Sequence, residues 1–98
     1  MKFLFNFQTQ TLKVTSGDHS LILDENHQFH LLGGIGFALD YPEPPQKPQR
    51  WIIFKVYPQR IKVIYKDKGI YYQKELFHPP GGVVEVEFSE WDRVNKRG

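Results

Sequence analysis

Apolar residues recur at a spacing of two over most of this chain, and the spacing of three and four that marks an amphipathic helix is largely absent. That pattern predicts a β protein. Phe3, Phe5 and Phe7 alternate with Lys2, Asn6 and Gln8, and Leu12 and Val14 alternate with Thr11, Lys13 and Thr15, which predicts two half-buried strands joined by a short polar link. Ser16-Gly17-Asp18 reads as a turn. The stretches Leu21-Ile22-Leu23 and Gln28 to Leu32 flank Asp24-Glu25-Asn26-His27, a polar tetrad suited to a hairpin loop. Gly33, Gly34 and Gly36 then enter the apolar stretch Ile35 to Leu39, where a bulge or sharp bend of the kind that turns a barrel corner is expected.

The second half begins after Tyr41 to Arg50, in which Pro42, Pro44, Pro45 and Pro48 rule out a central strand or helix interior and imply an extended, partly polyproline-like loop. Trp51 to Tyr57 is a near-continuous apolar run broken by Lys55, the pattern of a strand covered on both faces or lying at the centre of a sheet. Arg60 to Lys66 alternates cleanly, placing Ile61, Val63 and Tyr65 on one face and Arg60, Lys62, Ile64 and Lys66 on the other. Lys66-Asp67-Lys68-Gly69 signals a turn, and Ile70 to Phe77 returns antiparallel. A three-residue loop there would set Lys62 opposite Lys74, a like-charge pair. A two-residue loop, which we prefer, requires a positive φ at Lys68 and is expected to pair Arg60 with Glu75 and Val63 with Tyr72.

His78 to Gly82 reads as a loop, and Val84, Val86 and Phe88 alternating with Glu85, Glu87 and Ser89 form the last strand. Trp91 is expected to pack back on the body, and the tail from Asp92 to Gly98 either forms a short turn capped by Ser89 or frays. The expected fold is all-β: a single domain spanning 1–98, built from hairpins as a small antiparallel barrel or two-sheet sandwich of about eight strands.

Composition narrows the functional classes. A chain of 98 residues has little room for a deep enzyme pocket. The absence of cysteine excludes disulfides and thiolate metal sites. The N-terminal apolar run breaks at Asn6 and Gln8, too soon for a signal-peptide core. No apolar stretch approaches the ~20 residues of a membrane span, so a soluble, cytoplasmic protein that does not engage a membrane is expected.

Charge changes the picture more. Eight of the thirteen Lys and Arg residues fall between Lys47 and Phe77, opposed only by Asp67 and Glu75, so that this segment carries +6 against +2 for the whole chain. Residues 1–46 sum to −3 and residues 78–98 to −1. The basic segment also holds most of the aromatic rings of the second half, and this pairing of cations with rings points to a partner. The candidate binding residues are Arg50, Trp51, Lys55, Tyr57, Arg60, Lys62, Lys66, Lys68 and Tyr71. They suit an acidic protein surface, with Trp51, Tyr57 and Arg60 of the types that form hot spots. They also suit RNA or single-stranded DNA, gripped by phosphate contacts and stacked bases. The same residues could instead simply coat a wet sheet face and fill a core.

Other candidate chemistry is weak. His27 and His30 have a spacing that a strand would send to opposite faces, and no spacing brings His19 or His78 to join them, so no metal site is expected. Ser16, Asp18 and His19 fit a turn better than a triad. Glu85 and Glu87 share the wet face of their strand, where a salt bridge to Arg60 and Lys62 is a more natural role than acid–base work. The glycine cluster has no following helix to aim at a phosphate. The Pro42-x-x-Pro45 and Pro45-x-x-Pro48 spacings could offer a polyproline ligand to an aromatic groove. No set of nucleophile, base and oxyanion donors can be assembled. The expected function is therefore non-enzymatic and cofactor-free: a protein-interaction module or accessory subunit docking through the basic hairpin and the proline-rich loop 41–50, with nucleic-acid binding over the same face as the alternative. The oligomeric state is not set by the sequence.

Overall fold

The computed structural model describes residues 1–31, 33–40, 49–78 and 80–94. Among them, nine strands form two antiparallel sheets: β1 Lys2–Asn6, β2 Thr11–Ser16, β3 His19–Leu23, β4 Gln28–Leu31, β5 Gly34–Ala38, β6 Arg50–Val56, β7 Arg60–Asp67, β8 Ile70–Phe77 and β9 Val83–Glu87. The four-stranded sheet has the order β3-β2-β1-β9 and the five-stranded sheet β4-β5-β6-β7-β8. Each strand pairs with its chain neighbour except at two places, β3 to β4 and β8 to β9, where the chain crosses from one sheet to the other. Hydrogen bonding therefore does not close into a barrel, and of the two expected architectures the sandwich is the one formed.

The crossing at Asp24 corrects one expectation. Asp24 to His27 is not a hairpin loop, because β3 pairs with β2 and β4 with β5. The tetrad forms a 3-10 turn over Glu25–His27, opened by the Asp24 carboxylate accepting from the Asn26 N–H at 3.0 Å. The same polar residues that would close a hairpin here carry the chain between layers. The link between β1 and β2 is also built by one side chain, since Asn6 Oδ1 accepts from the N–H groups of Gln8 and Thr9 at 2.9 and 3.1 Å.

The β7–β8 hairpin has a two-residue turn with φ +51 at Lys68 and +85 at Gly69, the left-handed pair that matches strand twist. The loop length and the positive φ agree with the sequence reading, but the pairing is offset by two residues. Asp67 faces Ile70, which sets Arg60 opposite Phe77, Lys62 opposite Glu75, and Tyr65 opposite Tyr72. With Lys68 and Gly69 as the central residues, no other closure is available, and it brings Lys62 against a carboxylate.

Alternation decides the core. Phe3, Phe5, Leu12 and Val84 of one sheet pack against Phe37, Ile52, Phe54, Ile61 and Val63 of the other, with the Phe5 and Phe54 rings stacked at 4.4 Å. The β8 and β9 edges are tied by Lys74, whose Nζ donates to the Glu87 carbonyl at 2.8 Å and lies 3.5 Å from the Asp92 carboxylate. Burial raises the pKa of Tyr65 above the ordinary 10.0.

One further expectation changes, and of the two outcomes expected for the tail the short turn capped by Ser89 is the one formed. Trp91 is 94% exposed and does not pack on the body. It lies in a 3-10 turn, Glu90–Asp92, and because Asp92 turns inward to Lys74 and to the Ser89 N–H (2.8 Å), its neighbour a third of a turn away faces out. The tail does not fray at Asp92: Arg93 bridges to Tyr72, and the Val94 N–H donates to the Tyr71 carbonyl at 2.8 Å. Most of the proline-rich segment, 41–48, lies outside the described residues, as do 95–98. Arg50 opens β6 instead of closing that loop. The ends of the segment are held together by Leu39 N–H to Arg50 O at 2.9 Å and Gln49 N–H to Asp40 Oδ2 at 3.0 Å.

Candidate binding face

β6 lies at the centre of the five-stranded sheet, and its run of four buried residues serves both faces. Ile52 and Phe54 enter the sandwich core. Trp51 and Ile53 point the other way, yet are only 8% and 0% exposed. The outer face of this sheet is thus built around apolar side chains. Cross-strand register sets them in rows: Phe29, Gly36, Ile53, Ile64 and Gln73 form one, and Ala38, Trp51, Lys66 and Tyr71 the next.

Gly36 makes this arrangement possible. A Cβ there would stand 2.8 Å from Phe29 Cζ, so the phenyl ring lies on bare backbone in contact with the sheet. The expected barrel corner is absent. Gly33, at φ +79, belongs to the turn before β5, while Gly34 and Gly36 are strand positions that leave room for neighbours. Phe29, Trp51 and Tyr71 then meet edge to face, with centroids 6.4 and 6.0 Å apart.

The cations surround this stripe. Lys66 Nζ stands 5.5 Å from the Tyr71 centroid and 6.0 Å from that of Trp51, within cation–π range. On the other side of the stripe lies the row Gly34, Lys55, Lys62, Glu75, and beyond it Tyr57 with Arg60, whose guanidinium stands 5.2 Å over the tyrosine ring. Lys55 and Lys62 are directly opposite each other, a pairing that ordinarily costs stability. A shallow cleft of about 310 Å³ lined by Arg60, Glu75, Leu76 and Phe77 marks one corner, where Phe77 is 90% exposed. Lys55, Arg60, Lys62 and Lys66 against Glu75 leave the face at +3.

Of the nine residues singled out from the sequence, Trp51, Lys55, Tyr57, Arg60, Lys62, Lys66 and Tyr71 share this face, and Lys68 caps one end of it in the turn. Arg50 does not. It has the parity of Ile52 and Phe54, lies at the end of the sandwich, and sets its Nε 3.5 Å from Asp67 Oδ1. Phe29, Ile53 and Ile64 are the contributors that cation clustering did not select. The signal for Ile53 was the unbroken apolar run of β6, and for Ile64 an apolar residue on an otherwise basic strand face.

Glu85 and Glu87 alternate with buried Val84 and Val86 on β9 and face Leu4 and Lys2 across the four-stranded sheet. They therefore sit on the opposite side of the molecule from Arg60 and Lys62, and the salt bridge expected between them does not form. Among the described residues no cluster of three or more His, Asp or Glu has metal-binding geometry, and no helix is long and apolar enough to cross a membrane. No known family model, curated protein or solved structure matches the chain. The functional reading rests on the geometry of a β-sandwich with one cationic, apolar-centred outer face.

Proposed function

We propose that the domain is a non-enzymatic interaction module or accessory subunit of the cytoplasm, which docks the outer face of its five-stranded sheet onto an acidic protein surface. One observation carries this reading: an apolar stripe from Phe29 through Ile53 to Ile64, flanked by the Trp51 and Tyr71 rings, has lysines on both sides, the pattern of an interface with a dry centre and a polar rim. The opposed Lys55 and Lys62 strengthen it. Local rules are broken mainly where function compensates, and a carboxylate-bearing partner would relieve that repulsion.

Nucleic acid is the weaker reading on this geometry. Base stacking needs an open ring face, whereas Trp51 is nearly enclosed and Lys66 lies over both Trp51 and Tyr71. The polyproline docking proposed for residues 41–48 concerns a segment outside the described residues and remains a separate element of the proposal.

The test is affinity capture from a nuclease-treated lysate with the unaltered domain, Ile64→Asp, and the pair Lys62→Glu, Lys66→Glu. The same three proteins are titrated with labelled single-stranded RNA and DNA at low and moderate salt. A protein retained by the unaltered domain and lost by both variants, with nucleic acid bound weakly or not at all, is the expected result. Tight nucleic-acid binding that falls steeply with salt and vanishes in the charge-reversed pair would replace this reading with the other.

A further inference from the structure

Arg50, the cation that the basic face leaves out, borders a separate groove. The groove has a volume of about 240 Å³ and runs along the seam where hydrogen bonding between the sheets is interrupted. Its floor is the inner side of β3, His19, Leu21 and Leu23, and its walls include Val14, Leu39 and Arg50. From His19 to Leu23 the strand spans roughly 13 Å at about 3.3 Å per residue. Val14, Leu21, Leu23 and Leu39 make the lining mainly aliphatic along that length, alongside Met1, Ser16, His19 and Ser20, with the guanidinium as its cation.

The guanidinium is incompletely satisfied. Its Nε faces Asp67 Oδ1 at 3.5 Å, too far for a hydrogen bond, and both atoms are buried without a hydrogen-bond partner. Its Nη2 donates to Met1 Sδ at 3.7 Å, and the Tyr65 hydroxyl also interacts with Arg50 and Asp67. A thioether is a weak acceptor, so an oxyanion placed there would gain a charge-assisted bond in exchange for a poor contact. Aliphatic walls leading from a donor-rich cation define one kind of occupant.

We propose that this seam binds a medium-chain monocarboxylate, with the carboxylate on the terminal nitrogens of Arg50 and the alkyl chain along Val14, Leu21, Leu23 and Leu39. This site is distinct from the docking face and independent of it, since Arg50 and Leu21 point into the sandwich and Lys62 and Ile64 away from it.

Two-dimensional amide and methyl NMR titration of the full chain with octanoate tests this directly, with octylamine and octanol as probes of charge. Octanoate is expected to give saturable shifts confined to Val14, Leu21, Leu23, Leu39 and Arg50, and octylamine none. The double variant Arg50→Gln, Asp67→Asn removes the cation without stranding a carboxylate, and is expected to weaken octanoate about ten-fold or more, equivalent to about 1.4 kcal/mol. Leu21→Trp, which fills the groove and leaves the ion pair intact, should abolish binding, so the test survives failure of the double variant to fold. Absence of saturable shifts, equal binding of octylamine, shifts centred elsewhere, or undiminished binding by Leu21→Trp would each overturn the proposal.

Discussion

The two outer faces of the sandwich are made from the same kind of strand and have opposite characters. On the four-stranded sheet, Lys2, Lys13, Glu85 and Glu87 leave no net charge, threonines and Asn6 lie between them, and Ile22 stands 66% exposed among polar neighbours. On the five-stranded sheet, the corresponding surface has a buried isoleucine and tryptophan at its centre and an excess of cations around them. Both sheets complete the same core, so folding alone does not require this difference. An antiparallel sheet with one buried face is normally polar on the other. The four-stranded sheet obeys that rule, and the five-stranded sheet departs from it along the row that crosses β4 to β8. That departure is what the proposed docking role rests on.

Substitutions on each face test how far the two differ. Ile53→Ala should cost about 2–5 kcal/mol, as for a core isoleucine, whereas Ile22→Ala on the other face should change stability by no more than about 0.5 kcal/mol. Chemical denaturation of both variants checks this, and equal effects would mean that the two faces do not differ. Gly34→Val should cost roughly 1–3 kcal/mol by overpacking, because its Cβ would lie 2.7 Å from Ile53 Cγ2 and 2.9 Å from the Phe54 carbonyl oxygen. Its melting temperature should fall accordingly. Lys55→Glu should move stability and binding in opposite directions. Replacing the lysine opposite Lys62 by a carboxylate is expected to stabilise the fold by about 0.2–1 kcal/mol while reducing capture of an acidic partner.

The smallest effect lies at the edge tie, away from both faces. The Ser89 N–H, and after it Lys74, hold the Asp92 carboxyl below the ordinary aspartate value of 3.8. A depressed folded-state pKa contributes stability above that value, lost as pH falls through the folded one. Asp92→Asn should therefore lower stability at neutral pH and flatten its decline below about pH 4, measured by thermal melts across acid pH.

Much of this architecture was legible because alternation reports burial directly. Phe3, Phe5, Leu12, Ile61 and Val63 were placed inward by period two alone, and the unbroken run Trp51 to Phe54 announced a central strand with two covered faces. Lys68-Gly69 announced its turn. The crossing at Asp24 was not legible, since an Asx-capped turn has the same composition whether it folds a strand back or carries it to another layer. The stripe was not legible either, because Phe29, Ile53 and Ile64 are far apart in the chain and only register brings them into line. Arg50 shows the opposite failure. Its parity with Ile52 and Phe54 already placed it inside, and counting cations by segment obscured that.

Lysine acylation footprinting of the domain, alone and with its captured partner, compares the two faces in a single measurement. The account predicts that Lys55, Lys62 and Lys66 become slow to react in the complex while Lys2 and Lys13 react as before. Protection of Lys2 and Lys13, or equal reactivity of Lys55, Lys62 and Lys66 in the free and bound states, would contradict it.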